Sequence, residues 1–397
     1  MKNNSPGRPV EVFVTFLKLG LTSFGGPIAH IGYFRKELLE RRQWVSESQF
    51  SQLLAICQFL PGPASSQLGF SIGLTRAGWL GALAAFIGFT LPSALLLISF
   101  ASLLPFLSGP IGEAAIHGLK IVAFAVVADA VLGMSKKLCP DSQRATIAIL
   151  SATVLLVFDN AWVQLLVVMA GGLAGIYLCR ANVTQVTSQI PIHYGTKLGS
   201  ILLLLFFGLL VGLPLFSSSS ASLLSIAEAF YRAGALVFGG GHVVLPLLED
   251  SVVSSGWISS ETFLAGYGAS QAIPGPMFAF SAYLGAVTPT GYNPWFGAAI
   301  ALLFIFIPGL LLVAGVLPFW RAISDHAAVA NAVAGVNASV VGLLAAALYD
   351  PIFTSAIQNT LDLAIGLIAF ALLSIWRLST LIALVWSLAA STLLVII

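Results

Sequence analysis

Two Pro-Gly-Pro triplets, Pro61-Gly62-Pro63 and Pro274-Gly275-Pro276, stand inside strongly apolar sequence. Each must interrupt any helix around it, because proline lacks an N–H and glycine is a poor helix former. Where a broken helix restarts, its first N–H groups have no carbonyl partners and lie at the positive end of the dipole. The chemistry on offer there is anion binding. Ala64, Ser65, Ser66 and Gln67 follow the first triplet and add hydroxyl and amide donors, whereas Met277, Phe278, Ala279 and Phe280 follow the second and add none. The first half-site is therefore the expected ligand contact. The competing explanation is that the prolines only kink membrane helices, with consequences for packing alone.

A second break precedes each triplet: Ser23-Phe24-Gly25-Gly26-Pro27 and Val237-Phe238-Gly239-Gly240-Gly241. Lys18 and Arg232 stand six residues before Phe24 and Phe238, in apolar surroundings where an isolated cation costs about 2.5 kcal/mol or more. They are expected to attract an anion as a pair; the alternative is that both snorkel to the membrane surface. Gln58 and Gln271, three residues before each triplet, either bond the ligand or cap carbonyls freed by the prolines. His242 is a candidate proton carrier or anion donor, with His30 as its nearest analogue. Asp129, in the apolar stretch 111–134, is a candidate for proton coupling, and Lys120 is too far along the chain to neutralise it as an i,i+4 pair. Glu113 and Glu228 read as solvated residues near span ends.

These residues must be positioned by membrane helices. The chain has 397 residues, 58% hydrophobic and only 8% charged, with a mean hydropathy of +0.99. Soluble domains carry about 25% charged residues, so an all-α polytopic membrane protein is expected. A barrel would show period-two alternation, which is absent. A net charge of +2 argues against a nucleic-acid partner. Cys57, Cys139 and Cys179 form neither a disulfide framework nor a zinc spacing. No signal peptide is expected from residues 1–9 and the apolar run they enter. No metal-ligand pattern, nucleophile elbow, Walker loop or dinucleotide fingerprint occurs, so neither an enzyme nor a cofactor is expected.

The pattern repeats. Phe16-x-Lys18-x-Gly20-x-x-x-Phe24-Gly25-Gly26 matches Phe230-x-Arg232-x-Gly234-x-x-x-Phe238-Gly239-Gly240 at an offset of 214, and Gln58-x-x-Pro61-Gly62-Pro63 matches Gln271-x-x-Pro274-Gly275-Pro276 at 213. Trp79-x-Gly81 and Pro92 match Trp295-x-Gly297 and Pro308 at 216. A duplication explains that series: a first repeat over 10–180, a linker with one span over 181–224, and a second repeat over 225–397. The connection after the first glycine break is basic, with Arg35, Lys36, Arg41 and Arg42, while its counterpart carries Glu249, Asp250 and Glu261. By the positive-inside rule the repeats are inverted, with the basic connection in the cytoplasm. Reading the interrupted segments as re-entrant hairpins also places Lys2, Arg76, Lys136, Lys137, Arg144, Arg180 and Arg321 inside and Asp159 and Asp350 outside. Nine full spans result; full crossing by the interrupted segments is the alternative.

Taken together, the linked motifs from Phe16 to Pro27, Trp44, and Gln58 to Ala64, repeated at Phe230 to Pro276, resemble the chromate ion transporter family in its two-domain long form. The resemblance covers nearly the whole chain. It implies a multi-pass secondary transporter of the cytoplasmic membrane that moves chromate, usually outward, and confers chromate resistance. Protons are the implied coupling ion, or sulfate the implied exchange partner. The family positions matched here are Lys18, Gly25, Gly26, Pro27, Gln58, Pro61, Gly62 and Pro63, then Gly239, Gly240, Gly241, His242, Gln271, Pro274, Gly275 and Pro276. Chromate and sulfate share charge and shape, so uptake or exchange of sulfate stays open, as do an anion channel and a homodimer.

Overall fold

The computed structural model describes residues 7–107, 109–158, 161–180, 192, 194–218, 220–238, 241–320 and 326–396. Lys2, Asp159, Gly239, Gly240 and Arg321 lie outside the described residues. Among those described there are helices and no strands. The first half runs α1 (Pro9–Thr22), α2 (Gly26–Phe34) continued by a wider turn (Arg35–Arg41), α3 (Glu47–Phe59), α4 (Ala64–Leu103, bent at Ala77 and Gly78), α5 (Pro110–Leu138), α6 (Ser142–Val157) and α7 (Ala161–Leu178). After α8 (Thr196–Phe216) come α9 (Leu223–Leu236), α10 (Val244–Glu249), α11 (Ser260–Ser270), α12 (Phe280–Val287), α13 (Pro294–Val316), α14 (Ala327–Ala347), α15 (Thr360–Ser374) and α16 (Thr380–Ile396).

Five stretches are long and apolar enough to cross a membrane: Ala64–Phe106, Pro110–Leu138, Thr196–Phe216, Pro294–Phe319 and Ala327–Ala356. Their outward faces are apolar too, with Leu80, Ile87, Leu91 and Leu95 exposed along α4 and Leu204, Phe207 and Val211 along α8. Such faces suit lipid and would be a liability in water. The chain is a multi-pass membrane protein. The spans expected at α6, α7, α15 and α16 have 16, 18, 15 and 17 residues, fewer than the roughly 20 a perpendicular span needs. They form two helical pairs, α6 with α7 and α15 with α16.

Element boundaries depart from hydropathy where capping decides. The polar, basic connection over 33–51 is largely helical. Its Glu37 accepts from Arg41 and Arg42, and Ser46 with Gln49 forms a capping box that starts α3. Burial pushes the Glu37 carboxyl up, but the Arg42 and Arg41 guanidiniums outweigh it and hold the carboxyl below its ordinary range. Glu11 at the start of α1 meets both Arg42 and Arg76, and these two cations flank Trp44.

Close helix contacts rest on glycines in both halves. α1 packs on α4 where a side chain at Gly20 would strike the Phe89 carbonyl, and α9 packs on α13 where one at Gly234 would strike the Ile305 carbonyl. The halves also interlock. α5 lies against α11, α15 and α16, with Gly118 on the backbone at Ser387–Leu388; α14 lies against α6 and α7, with Gly335 on Gly171 and Gly175.

Candidate functional site

The restart at the first triplet is assembled from both halves. α3 ends at Phe59, the chain turns at Gly62 with φ +119°, and α4 begins at Ala64 with Pro63 as N-cap and no capping side chain. Glycine alone takes that φ cheaply, and a Cβ there would sit 2.9 Å from Gly309 Cα in α13. Gly62 donates its N–H to Val237 O at 2.7 Å, the carbonyl at the end of α9. Buried Gln67 donates from Nε2 to Pro61 O and to Gly309 O, each at 2.9 Å. Gln67 N bonds Pro63 O, which leaves the N–H groups of Ala64, Ser65 and Ser66 without intrahelical acceptors.

The second triplet is held reciprocally. Gly275, at φ +98°, donates its N–H to Ser23 O at 2.9 Å, at the end of α1. Its neighbour is Ser93, which follows Pro92 as Gly309 follows Pro308.

Beside the first restart, His30, buried on α2, has Nδ1 3.4 Å from Ser65 Oγ and packs edge-on against Phe89. Ser23 Oγ, His30 Nε2, Ser66 Oγ, Gln67 Oε1 and Thr90 Oγ1 are all buried without a hydrogen-bond partner among the described residues. An unpaired buried polar group costs about 1–3 kcal/mol, so such a concentration asks for a ligand to relieve it. In the tautomer that accepts the Ser65 hydroxyl proton at Nδ1, His30 presents Nε2–H as a donor. The backbone N–H groups, the Ser23 and Ser66 hydroxyls and this imidazole offer an oxyanion several donors and no carboxylate. The second restart offers no such side chains: Phe278, Ala279 and Phe280 are buried in the apolar core.

The remaining expected residues are placed as follows. Gly25 and Gly26 make the turn between α1 and α2, both at positive φ. Gln58 is exposed. Gln271 donates to Tyr267 O and Ser270 Oγ of its own helix, so it closes the end of α11. Gly241 is buried, and His242 Nδ1 lies 2.7 Å from the Tyr267 hydroxyl within the second half. Asp129 is half-buried on α5.

The two cations have unlike surroundings. Lys18 is exposed on α1, whereas Arg232 Nε sits 2.8 Å from Glu228 Oε1. Glu228, expected in solvent, has a side chain only 13% exposed; the guanidinium one helical turn away offsets the cost of that burial. Both residues line two adjoining cavities of about 250 and 210 Å³, so open space lies beside Arg232. Two further polar contacts fix α5: an ion pair from Lys120 Nζ to Glu261 Oε1 at 3.3 Å, and His117 Nε2 to Asp362 Oδ1 at 2.9 Å. Sequence reasoning underweighted His30 and passed over Ser23. The available signal was the hydroxyl in the first break where the second break has Val237.

A family model for the chromate transporter matches residues 10–176 and 224–395. The chain belongs to the chromate transporter family. It is 30% identical over 382 residues to a probable chromate transport protein of Synechococcus elongatus, covering 91% of this chain and 88% of that protein. It is 29% identical over 368 residues to a chromate transport protein of Pseudomonas aeruginosa, with coverage of 91% and 85%. A chromate transport protein of Cupriavidus metallidurans is 25% identical over 369 residues, with coverage of 90% and 85%. No solved structure matches the chain. Membership implies an oxyanion substrate and a transporter.

Proposed function

We propose that this protein is a secondary transporter that carries chromate across the cytoplasmic membrane, holding the dianion at the first helix restart. The observation that carries the reading is the set of buried donors without partners, Ser23 Oγ, Ser66 Oγ and His30 Nε2, beside the uncapped N-terminus of α4. Preorganised dipoles of this kind stabilise an anion without a charged side chain. Two inverted repeats account for the reciprocal bonds Gly62 N to Val237 O and Gly275 N to Ser23 O. The two stretches matched by the family model support the same division.

Export is favoured on energetic grounds, because an inside-negative potential drives a dianion outward while uptake would need a co-transported cation. Export gives resistance to chromate. The test is chromate accumulation in everted vesicles, with sulfate as competitor. Wild-type protein should accumulate chromate, and Ser65→Ala with Ser66→Ala should lower the rate at least about tenfold, as expected from losing a charge-assisted hydrogen bond or two. Phe278→Ala with Phe280→Leu, in the second restart, should disturb stability more than substrate selection. Sulfate carried as fast as chromate would make the protein a general oxyanion carrier. Equal rates in wild type and the serine double variant would remove the site from the first restart.

A further inference from the structure

The two adjoining cavities beside Arg232 change character along α9. Ser225, Glu228, Arg232 and Leu236 line them at spacings of three, four and four residues, so they share one helix face and run from polar to apolar over about 16 Å. α7 follows the same order, with Gln164 ahead of Leu165 and Val168. Leu247 and Leu343 add further apolar wall. Ser218, Ser255 and Trp257 enlarge the polar part. The space is amphipathic.

Helices with lipid-facing surfaces flank it. α7 packs on α6 and α14, α8 packs on α9 and α13, and the cavity takes walls from both α7 and the end of α8 at Pro214 and Ser217. On the outward faces of the same two helices, Leu166, Met169, Val211 and Leu215 are exposed, as suits contact with hydrocarbon. The polar walls belong to the starts of α7 and α9, the end of α8 and the acidic connection at Asp250. The inverted arrangement proposed above sets all of these at the outer surface, at the depth of lipid headgroups, where tryptophans such as Trp257 concentrate.

The polar end is matched to two charges. Among the described lining residues the charged groups are the Arg232 guanidinium and the carboxylates of Glu228 and Asp250. Arg232 gives one of its five N–H groups to Glu228, and its terminal fork suits a phosphodiester. Ser251 and Ser255 donate their hydroxyl protons to the carbonyls of Leu247 at 2.7 Å and Ser251 at 2.8 Å, so their oxygens serve the cavity as acceptors beside the carboxylates. A lone anion would meet one guanidinium against two carboxylates. A phosphate tethered to a primary ammonium satisfies both signs, because the ammonium brings three N–H donors to those oxygens.

We propose that this cavity holds a membrane phospholipid whose headgroup joins a phosphodiester to a primary ammonium, as in phosphatidylethanolamine. The phosphate lies on Arg232, the ammonium between Glu228 and Asp250, and an acyl chain against Leu165, Val168 and Leu236. Together the two cavities fall within the range of about 300–1,000 Å³ that small-ligand sites occupy. Charge selects the headgroup: one with phosphate alone adds a negative charge beside two carboxylates, and a trimethylammonium has no N–H to donate. The inference goes beyond oxyanion transport and borrows from that reading only the orientation of the repeats.

The test is native mass spectrometry of the delipidated full chain, titrated with phosphatidylethanolamine, phosphatidylcholine and phosphatidylglycerol of identical acyl chains. Glycerophosphoethanolamine, the headgroup without chains, is added as competitor. Wild type should hold phosphatidylethanolamine about tenfold more tightly than either other lipid, as expected from a charge-assisted hydrogen bond, and the chain-free headgroup should not displace it. Asp250→Asn should erase that preference. Leu165→Trp, at a half-buried wall position, should weaken all three lipids, and it keeps the test decisive if Asp250→Asn does not insert. Equal retention of the three lipids by wild type, or a preference unchanged in Asp250→Asn, overturns the site. Displacement by glycerophosphoethanolamine assigns the cavity to a soluble zwitterion and overturns the lipid. Chromate enters none of these readouts, so failure here leaves transport standing, and failure of transport leaves the lipid site standing.

Discussion

Gly62 carries two requirements that can be separated. Its φ of +119° costs a residue with a Cβ about 1–2 kcal/mol, and a Cβ there also meets Gln67 and Gly309. Gly26 has only the first requirement, with φ +74° and nothing within 4 Å of its would-be Cβ. Gly62→Ala should lower the thermal unfolding midpoint of the purified protein clearly more than Gly26→Ala, and equal losses would discard the packing term. The cations separate similarly. Arg232→Ala is expected to abolish transport, since it strands the mostly buried Glu228 and empties the cavity of positive charge. Lys18→Ala, on an exposed face, should reduce the rate by a few-fold at most. The sequence made these two residues look equivalent because their positions align at one offset. Their environments differ because that offset sets Val14 opposite Glu228, a difference of one side chain that repeat alignment passes over.

At the scale of elements, α5 is the member that ties the second half's hairpin to the first half. Buried Lys120 reaches Glu261, in the first turn of α11, and Glu261 is 73% exposed. Removing the carboxylate leaves a buried cation without its partner, whereas removing the lysine leaves a carboxylate that water can solvate. Glu261→Gln should therefore destabilise the protein by about 1–2 kcal/mol after discounting for that exposure, and Lys120→Met by less. Unfolding in detergent orders the two, and the reverse order would show that Lys120 is stabilised by something other than Glu261. Element positions were legible in sequence wherever proline and glycine acted locally, as at the breaks after Thr22 and Phe59. They were less legible where polar caps extended a helix beyond its apolar run: Asp141 caps α6 by accepting from Arg144 N, so the helix starts at Ser142, ahead of the apolar run from Ala145. The helical content of 33–51 was hidden for the same reason, because hydropathy does not register Ser46 and Gln49 bonding each other's backbone.

Over the whole molecule, charge asymmetry between the two connections predicts opposite faces. With Cys57, Cys139 and Cys179 replaced, single cysteines at positions 41 and 250 should react with an impermeant thiol reagent from opposite sides of the membrane; labelling from one side would remove the inverted arrangement. What no local pattern could reveal is which backbone groups meet across the halves, since the bonds from Gly62 to Val237 and from Gly275 to Ser23 join residues far apart in sequence. They also bear on how the protein is made. While the ribosome is still short of Val237, the break at Gly62 has no acceptor in the nascent chain, and the carbonyl of Ser23 has no donor until Gly275 arrives. Each half is thus an incomplete product that ripens only with its sibling. Cut into two polypeptides between Arg180 and Thr196, the protein should accumulate when both pieces are synthesised together and be degraded when either is made alone.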